Sequence, residues 1–97
     1  MQKSEELISV IMPTFNEESY LQEAINSVLN QTYSNIELII VDNMSIDKTL
    51  EIIKANKNID SRIKYNTCDV KGPAAARNCA ISMASGDYIV NMDADDI

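Results

Sequence analysis

Residues 7–42 read LISVIMPTFNEESYLQEAINSVLNQTYSNIELIIVD. Leu7 to Met12 is a short, near-continuous apolar run, the signature of a strand buried on both faces. Pro13 ends it, because proline has no amide hydrogen to give a sheet ladder. Thr14-Phe15-Asn16 then forms a loop, with Asn16 as N-cap and Glu17 and Glu18 in the first turn of a helix, where the dipole favours negative charge. Leu21, Ala24, Ile25, Val28 and Leu29 recur at helical spacing, which predicts a helix over 17–30 with one apolar stripe. Ile36 to Val41 (IELIIV) is a second buried strand. This strand–helix–strand unit sets the reading of the rest.

Outward from it the alternation continues. Asp42-Asn43-Met44-Ser45 is a loop, and Ser45 or Asp47 caps a second helix carrying Ile46, Leu50 and Ile53 on its apolar stripe. Arg62 to Asn66 (RIKYN) is a weaker, alternating strand expected near a sheet edge. Gly72-Pro73 opens a third helix, since proline suits its first position. Ala76, Cys79, Ala80, Met83 and Ala84 form its buried face, and the alanines imply a close approach to the sheet. Gly86 is placed as its C-terminal cap, and Tyr88 to Met92 is a closing strand read as buried. The order β-α-β-α-β-α-β predicts an α/β fold: an open, mainly parallel, Rossmann-like sheet with helices on both faces and right-handed crossovers. Residues 1–6 are polar and expected to be flexible, and 7–97 form one domain.

Composition narrows the function classes. The 97 residues hold 8 basic and 15 acidic side chains, for a net charge of −7. That is a poor footprint for nucleic acid or an anionic membrane surface. An anionic substrate would need a metal or a local positive patch. No apolar run approaches the length of a transmembrane span. There is no His, so a Ser-His-Asp triad is excluded within the chain. Neither Gly-x-Gly-x-x-Gly nor a Walker-type phosphate loop is present. Cys68 and Cys79 fit no CxxC motif and are read as reduced thiols of a cytoplasmic chain.

In open parallel sheets ligands bind beyond the carboxyl ends of the strands. Those ends carry Thr14-Phe15-Asn16-Glu17, Asp42-Asn43, Cys68-Asp69 and Asp93-Ala94-Asp95, so separately encoded loops put polar and acidic groups on one rim. Asp93, Asp95 and Asp96 crowd the end of the last strand. Like charges this close repel unless a cation neutralises them, which points to a hard divalent ion, Mg²⁺ or Mn²⁺, on oxygen ligands; the alternative from this stretch alone is a solvated acidic strand end, or a helix N-terminus begun by Asp95.

The segments at 9–53 (SVIMPTFNEESYLQEAINSVLNQTYSNIELIIVDNMSIDKTLEII) and 72–96 (GPAAARNCAISMASGDYIVNMDADD) resemble the N-terminal, nucleotide-sugar half of family 2 glycosyltransferases, of GT-A fold. The likeness runs from Ile8 to Asp96 and rests on P-T-F-N-E, Q-T, V-D-N-x-S, A-A-A-R-N and D-A-D-D in combination. It implies that Pro13-Thr14-Phe15-Asn16-Glu17 line a nucleobase pocket with Phe15 beside the base. Where the family often has a second aspartate, accepting a hydrogen bond from the base, this chain has Asn43. Its amide oxygen can still accept, and the identity of the base is left open. Asp42 contacts the base region or fixes the loop. Arg77 lies near the nucleotide, with Lys71 and Asp69 as weaker candidates in the preceding loop. Asp95 ligates the metal, and Asp93 contacts the ribose or a metal-bound water.

The resemblance places no catalytic residue in the chain. The family's acidic base and acceptor side lie beyond the D-x-D motif, so the base is expected beyond Ile97. The expectation is therefore a metal-dependent, inverting transfer of a sugar from a nucleotide-diphosphate sugar by a longer protein, to a polysaccharide, lipid-linked or cell-surface glycan acceptor. That protein would work in the cytoplasm or at the inner membrane face. On this reading residues 7–97 are a donor-binding half cut just after the motif, inactive alone and inclined to dimerise through an exposed sheet edge. The alternative is a GT-A-like module that binds nucleotide or a protein partner without transfer.

Overall fold

The computed structural model describes residues 6–92. Its elements are β1 (Ile8–Thr14), α1 (Leu21–Leu29), β2 (Ile36–Asp42), α2 (Thr49–Ile59), β3 (Ile63–Thr67), α3 (Pro73–Met83) and β4 (Tyr88–Asn91). The strands form one four-stranded sheet in the order β3-β2-β1-β4. Every pairing is parallel, with Ile8 opposite Ile36 and Tyr88, and Leu38 opposite Ile63. The predicted α/β architecture is the one observed.

Strand periodicity explains the two-sided core. Val10, Met12, Leu38, Ile40 and Ile63 project to one face, where Leu21, Ala24, Ile25 and Val28 of α1 and Ile53 of α2 cover them. Ile11, Ile39 and Val41 project to the other, against Ala76 and Ala80 of α3. Every residue of β2 is buried, which is why Leu38 to Val41 form an unbroken apolar run rather than an alternating one, with Glu37 and Asp42 as its buried charged residues. After β3 the chain crosses to the far side of β1, and its connecting helix changes face, as right-handed crossovers require. The direction of winding thus reverses at β1, the kind of position where α/β sheets open a crevice.

Five local expectations are overturned. Helix α1 begins at Leu21, not Glu17. Asn16 is not an N-cap; it sits in the left-handed region at φ 50°, and the Glu17 carbonyl instead closes a turn with the Tyr20 and Leu21 amides. Ile46 is not on the α2 stripe; it precedes the helix and is 92% exposed. Gly86 is not a helix cap, since α3 already ends in extended backbone at Ala84. It is small because it abuts β1: a Cβ there would lie 2.5 Å from Ser9 Oγ and 2.8 Å from the Leu7 carbonyl oxygen. Strand β4 is not buried. Tyr88, Ile89 and Val90 are each about half exposed, because among the described residues β4 pairs only with β1 and α3 packs on β1 and β2 instead.

At the amino-terminal end of the sheet, on the α3 face, sits a polar cluster that the sequence reading did not single out. Buried Glu37 accepts hydrogen bonds from the Ser9 hydroxyl and from the Ser85 amide and hydroxyl. It also pairs with Lys64 at 2.7 Å, and the Gly86 amide donates to Ser9 Oγ. Burial pushes the Glu37 pKa up. Lys64, Ser9 and Ser85 outweigh that and bring it down to about 2. The cluster ties β1, β2, β3 and the α3–β4 connection together at the end opposite the cleft.

Candidate functional site

The carboxyl ends of the strands open a cleft of about 670 Å³, within the usual range for a small-molecule site. Its floor and walls come from three loops. The β1–α1 loop gives Pro13 through Glu17, and the β2–α2 loop gives Asn43, Met44 and Ile46. The entry to α3 gives Lys71, Gly72, Pro73, Ala76 and Arg77. Phe15 is 57% exposed, so its ring is a cleft wall and not a core side chain.

The first two loops are laced together. The Asn16 amide donates to Ser45 Oγ and the Ile46 amide donates back to Asn16 Oδ1, at 2.8 and 2.9 Å. The Glu17 amide donates to Thr49 Oγ1 and the Glu18 amide to Asp47 Oδ2. The Lys48 amide returns to Glu18 Oε1. Asp47 further accepts the Thr49 amide and hydroxyl, closing the start of α2. Desolvation works against ionisation of Asp47, but the Thr49 hydroxyl and amide and the Glu18 amide hold its carboxyl below the usual range. Among the described residues two non-glycine residues have positive φ, Asn16 and Met44. Both stand on this rim, and backbone strain of this kind persists only where surrounding bonds over-determine it. Ser45 or Asp47 was expected as the cap of α2. Ser45 is instead a link between loops, which only the tertiary pairing reveals.

Of the residues expected at the site, Pro13, Thr14, Phe15, Asn16, Glu17, Asn43 and Arg77 meet around the one cleft. Asp42 is not among its walls. It is buried, and its carboxylate takes the Ser45 amide and lies 3.5 Å from the Thr14 hydroxyl, which makes it a loop-fixing residue. Asp69 is exposed and outside the cleft. Asp93 and Asp95 lie outside the described residues, as do Asp96 and Ile97. Among the described residues no cluster of carboxylate, thiol or imidazole groups could hold a metal. Met44 and Ile46 were missed as cleft residues; their loop was quoted for its polar members, and their exposure has no sequence signal. Among the described residues no helix is long and apolar enough to cross a membrane.

The profile of the family described as Glycosyl transferase family 2 matches residues 9–97. The chain belongs to that family. It is 48% identical over 94 residues to the UDP-Glc:alpha-D-GlcNAc-diphosphoundecaprenol beta-1,3-glucosyltransferase WfaP of Escherichia coli, covering 94% of this chain and 36% of that protein. Among solved structures, S. aureus TarS residues 1–349 in complex with UDP-GlcNAc superposes at TM-score 0.83 with 34% identity, covering 91% of this chain and 26% of that one. The mannosyltransferase PcManGT from Pyrobaculum calidifontis, in complex with GDP-Man and Mn²⁺, superposes at 0.83 with 28% identity, covering 91% and 27%. The chain spans about a third of the length of several curated relatives that it matches. Its fold is thus the GT-A fold of these glycosyltransferases.

Proposed function

We propose that the protein is the donor-binding part of a glycosyltransferase that moves a sugar from a nucleoside-diphosphate sugar to a hydroxyl acceptor. The observation that carries this is the make-up of the cleft. An exposed aromatic ring, Phe15, faces the rim together with a buried amide, Asn43, and two cations, Lys71 and Arg77. In a chain of net charge −7, two cations against the single carboxylate of Glu17 on one cleft provide the local positive patch that a diphosphate needs. The complexes of the structural relatives with UDP-GlcNAc and GDP-Man support a nucleotide in this position.

A divalent ion completes the reading. Strand β4 runs parallel to β1, so its carboxyl end points toward the rim that carries Phe15 and Asn16. Asp93 and Asp95 follow it in sequence and supply the hard oxygen donors that Mn²⁺ or Mg²⁺ prefers. Bound there, such an ion offsets the charge of a departing nucleoside diphosphate, and the Mn²⁺ complex of PcManGT supports it. The E. coli relative's lipid-linked acceptor supports a glycan or lipid-linked acceptor; inversion at the sugar and work at the inner membrane face belong to the same proposal. We assign no catalytic base.

Calorimetric titration of the chain with UDP, GDP and TDP, with and without Mn²⁺, tests the reading. Saturable binding of one of them, strengthened by Mn²⁺ and weakened in D95A, is expected. Heats of dilution alone for all three, at millimolar nucleotide, would refute it.

A further inference from the structure

Asn43 is 6% exposed, and both hydrogens of its side-chain amide are committed. Nδ2 donates to the Val70 carbonyl at 3.0 Å and to the Gly72 carbonyl at 2.9 Å. Two carbonyl partners require a donor between them, which fixes which end of the amide is nitrogen. An ionised carboxylate in its place could make neither bond, having no proton to donate. Val70 and Gly72 flank Lys71, so one side chain from the β2–α2 loop grips the backbone on each side of that lysine. Asn43 is itself held, its own amide donating to the Thr14 carbonyl at 2.8 Å. Gly72 adds a φ of 111°, a conformation only glycine adopts readily, so the loop turns sharply into α3 just after the lysine. Lys71 lines the cleft together with Arg77, and among the described residues neither forms an ion pair.

We infer that Asn43 is a positioning residue that acts through Lys71: it pins the Val70–Gly72 loop so that Lys71 joins Arg77 as a two-cation seat for the diphosphate of the bound nucleotide. This rests on the proposed donor-binding function and deepens it. It also redirects Asn43 away from reading the base, the part that the resemblance implied for its position.

The test is a double-mutant cycle on the full chain with K71A and N43A. The ligands are whichever of UDP, GDP and TDP the wild-type chain takes, and the matching nucleoside. K71A sits at an exposed position and folds normally. It should weaken the diphosphate about fivefold, the size of a solvent-exposed ion pair, and leave the nucleoside unchanged. N43A should do the same alone, and add less than about twofold in the K71A background. Limited trypsin digestion gives a readout free of nucleotide. N43A should speed cleavage after Lys71 selectively, whereas global loosening would speed it at every lysine and arginine.

Equal losses of diphosphate and nucleoside in N43A, full additivity in the double variant, or unchanged cleavage after Lys71 would each overturn the inference. Wild-type binding with K71A indistinguishable from it would overturn the inference alone. A wild-type chain that takes no nucleotide would overturn the proposed function and the inference with it.

Discussion

Replacing Glu37 with glutamine removes one carboxylate from the strand that the whole sheet is built on. The side chain is 7% exposed, while its partner Lys64 is 46% exposed. Burial alone would raise the Glu37 pKa, but Lys64, Ser9 and Ser85 together lower it from 4.5 to about 2. A folded-state pKa below the unfolded value means that ionised Glu37 stabilises the fold. That contribution is complete above pH 4.5 and is lost as pH falls from there through about 2. At about 1.4 kcal/mol per unit of pKa, the fall caps the contribution at about 3 kcal/mol. Water around the half-exposed Lys64 screens part of it, so about 2 kcal/mol is the working figure. Urea unfolding of wild type and E37Q at pH 7, 5, 3 and 2 measures it. At pH 7, E37Q should be about 2 kcal/mol less stable, and the gap should close toward zero by pH 2. A gap that stays constant across this range would refute the assignment of the network's strength to the charged form of Glu37.

Three other outcomes follow from the fold and the rim. Gly86→Ala places a methyl group 2.5 Å from Ser9 Oγ and should lower stability by about 1–3 kcal/mol, the usual penalty of overpacking, read by thermal melting. Asn16→Ala loses the bond from the Ile46 amide and puts a Cβ-bearing residue with no local hydrogen bond at φ 50°; Asn16→Gly loses only the bond. The alanine variant should therefore melt lower than the glycine variant, and the reverse order would contradict the left-handed assignment. Phe15→Ala removes an exposed ring, so stability should change by less than about 0.5 kcal/mol, while calorimetry should show weaker nucleotide binding.

The fold was legible because its signals are local and redundant. IELIIV is apolar apart from Glu37 because β2 is buried on both faces, and Ala76 and Ala80 are small because α3 lies close on β1 and β2. Boundaries were less legible where tertiary bonds override local preference. Asn16-Glu17-Glu18 has the chemistry of a helix start, yet its amides are taken by Ser45, Thr49 and Asp47 across the rim. Strand β4 reads as buried from its composition, but burial depends on neighbours, and YIVN carries no mark of being at an edge. For the site, motif resemblance brought seven expected residues around one cleft. It could not show that Asp42 turns inward to fix its loop, nor that Asn43 spends its donors on the backbone around Lys71. Those are contacts between segments about 30 residues apart, and nothing in either segment alone encodes them.

The most direct test of the central claim, that the rim cleft holds a nucleoside diphosphate, is a map of backbone amide shifts on titrating the ¹⁵N-labelled chain with UDP, GDP and TDP, using Mg²⁺ as the ion to keep the spectra sharp. The account predicts that the amides of Phe15, Asn16, Met44, Lys71 and Arg77 move together and saturate with one of the three. Shifts confined to the opposite end, around Ser9, Glu37 and Ser85, or no saturable shift with any of them, would contradict it.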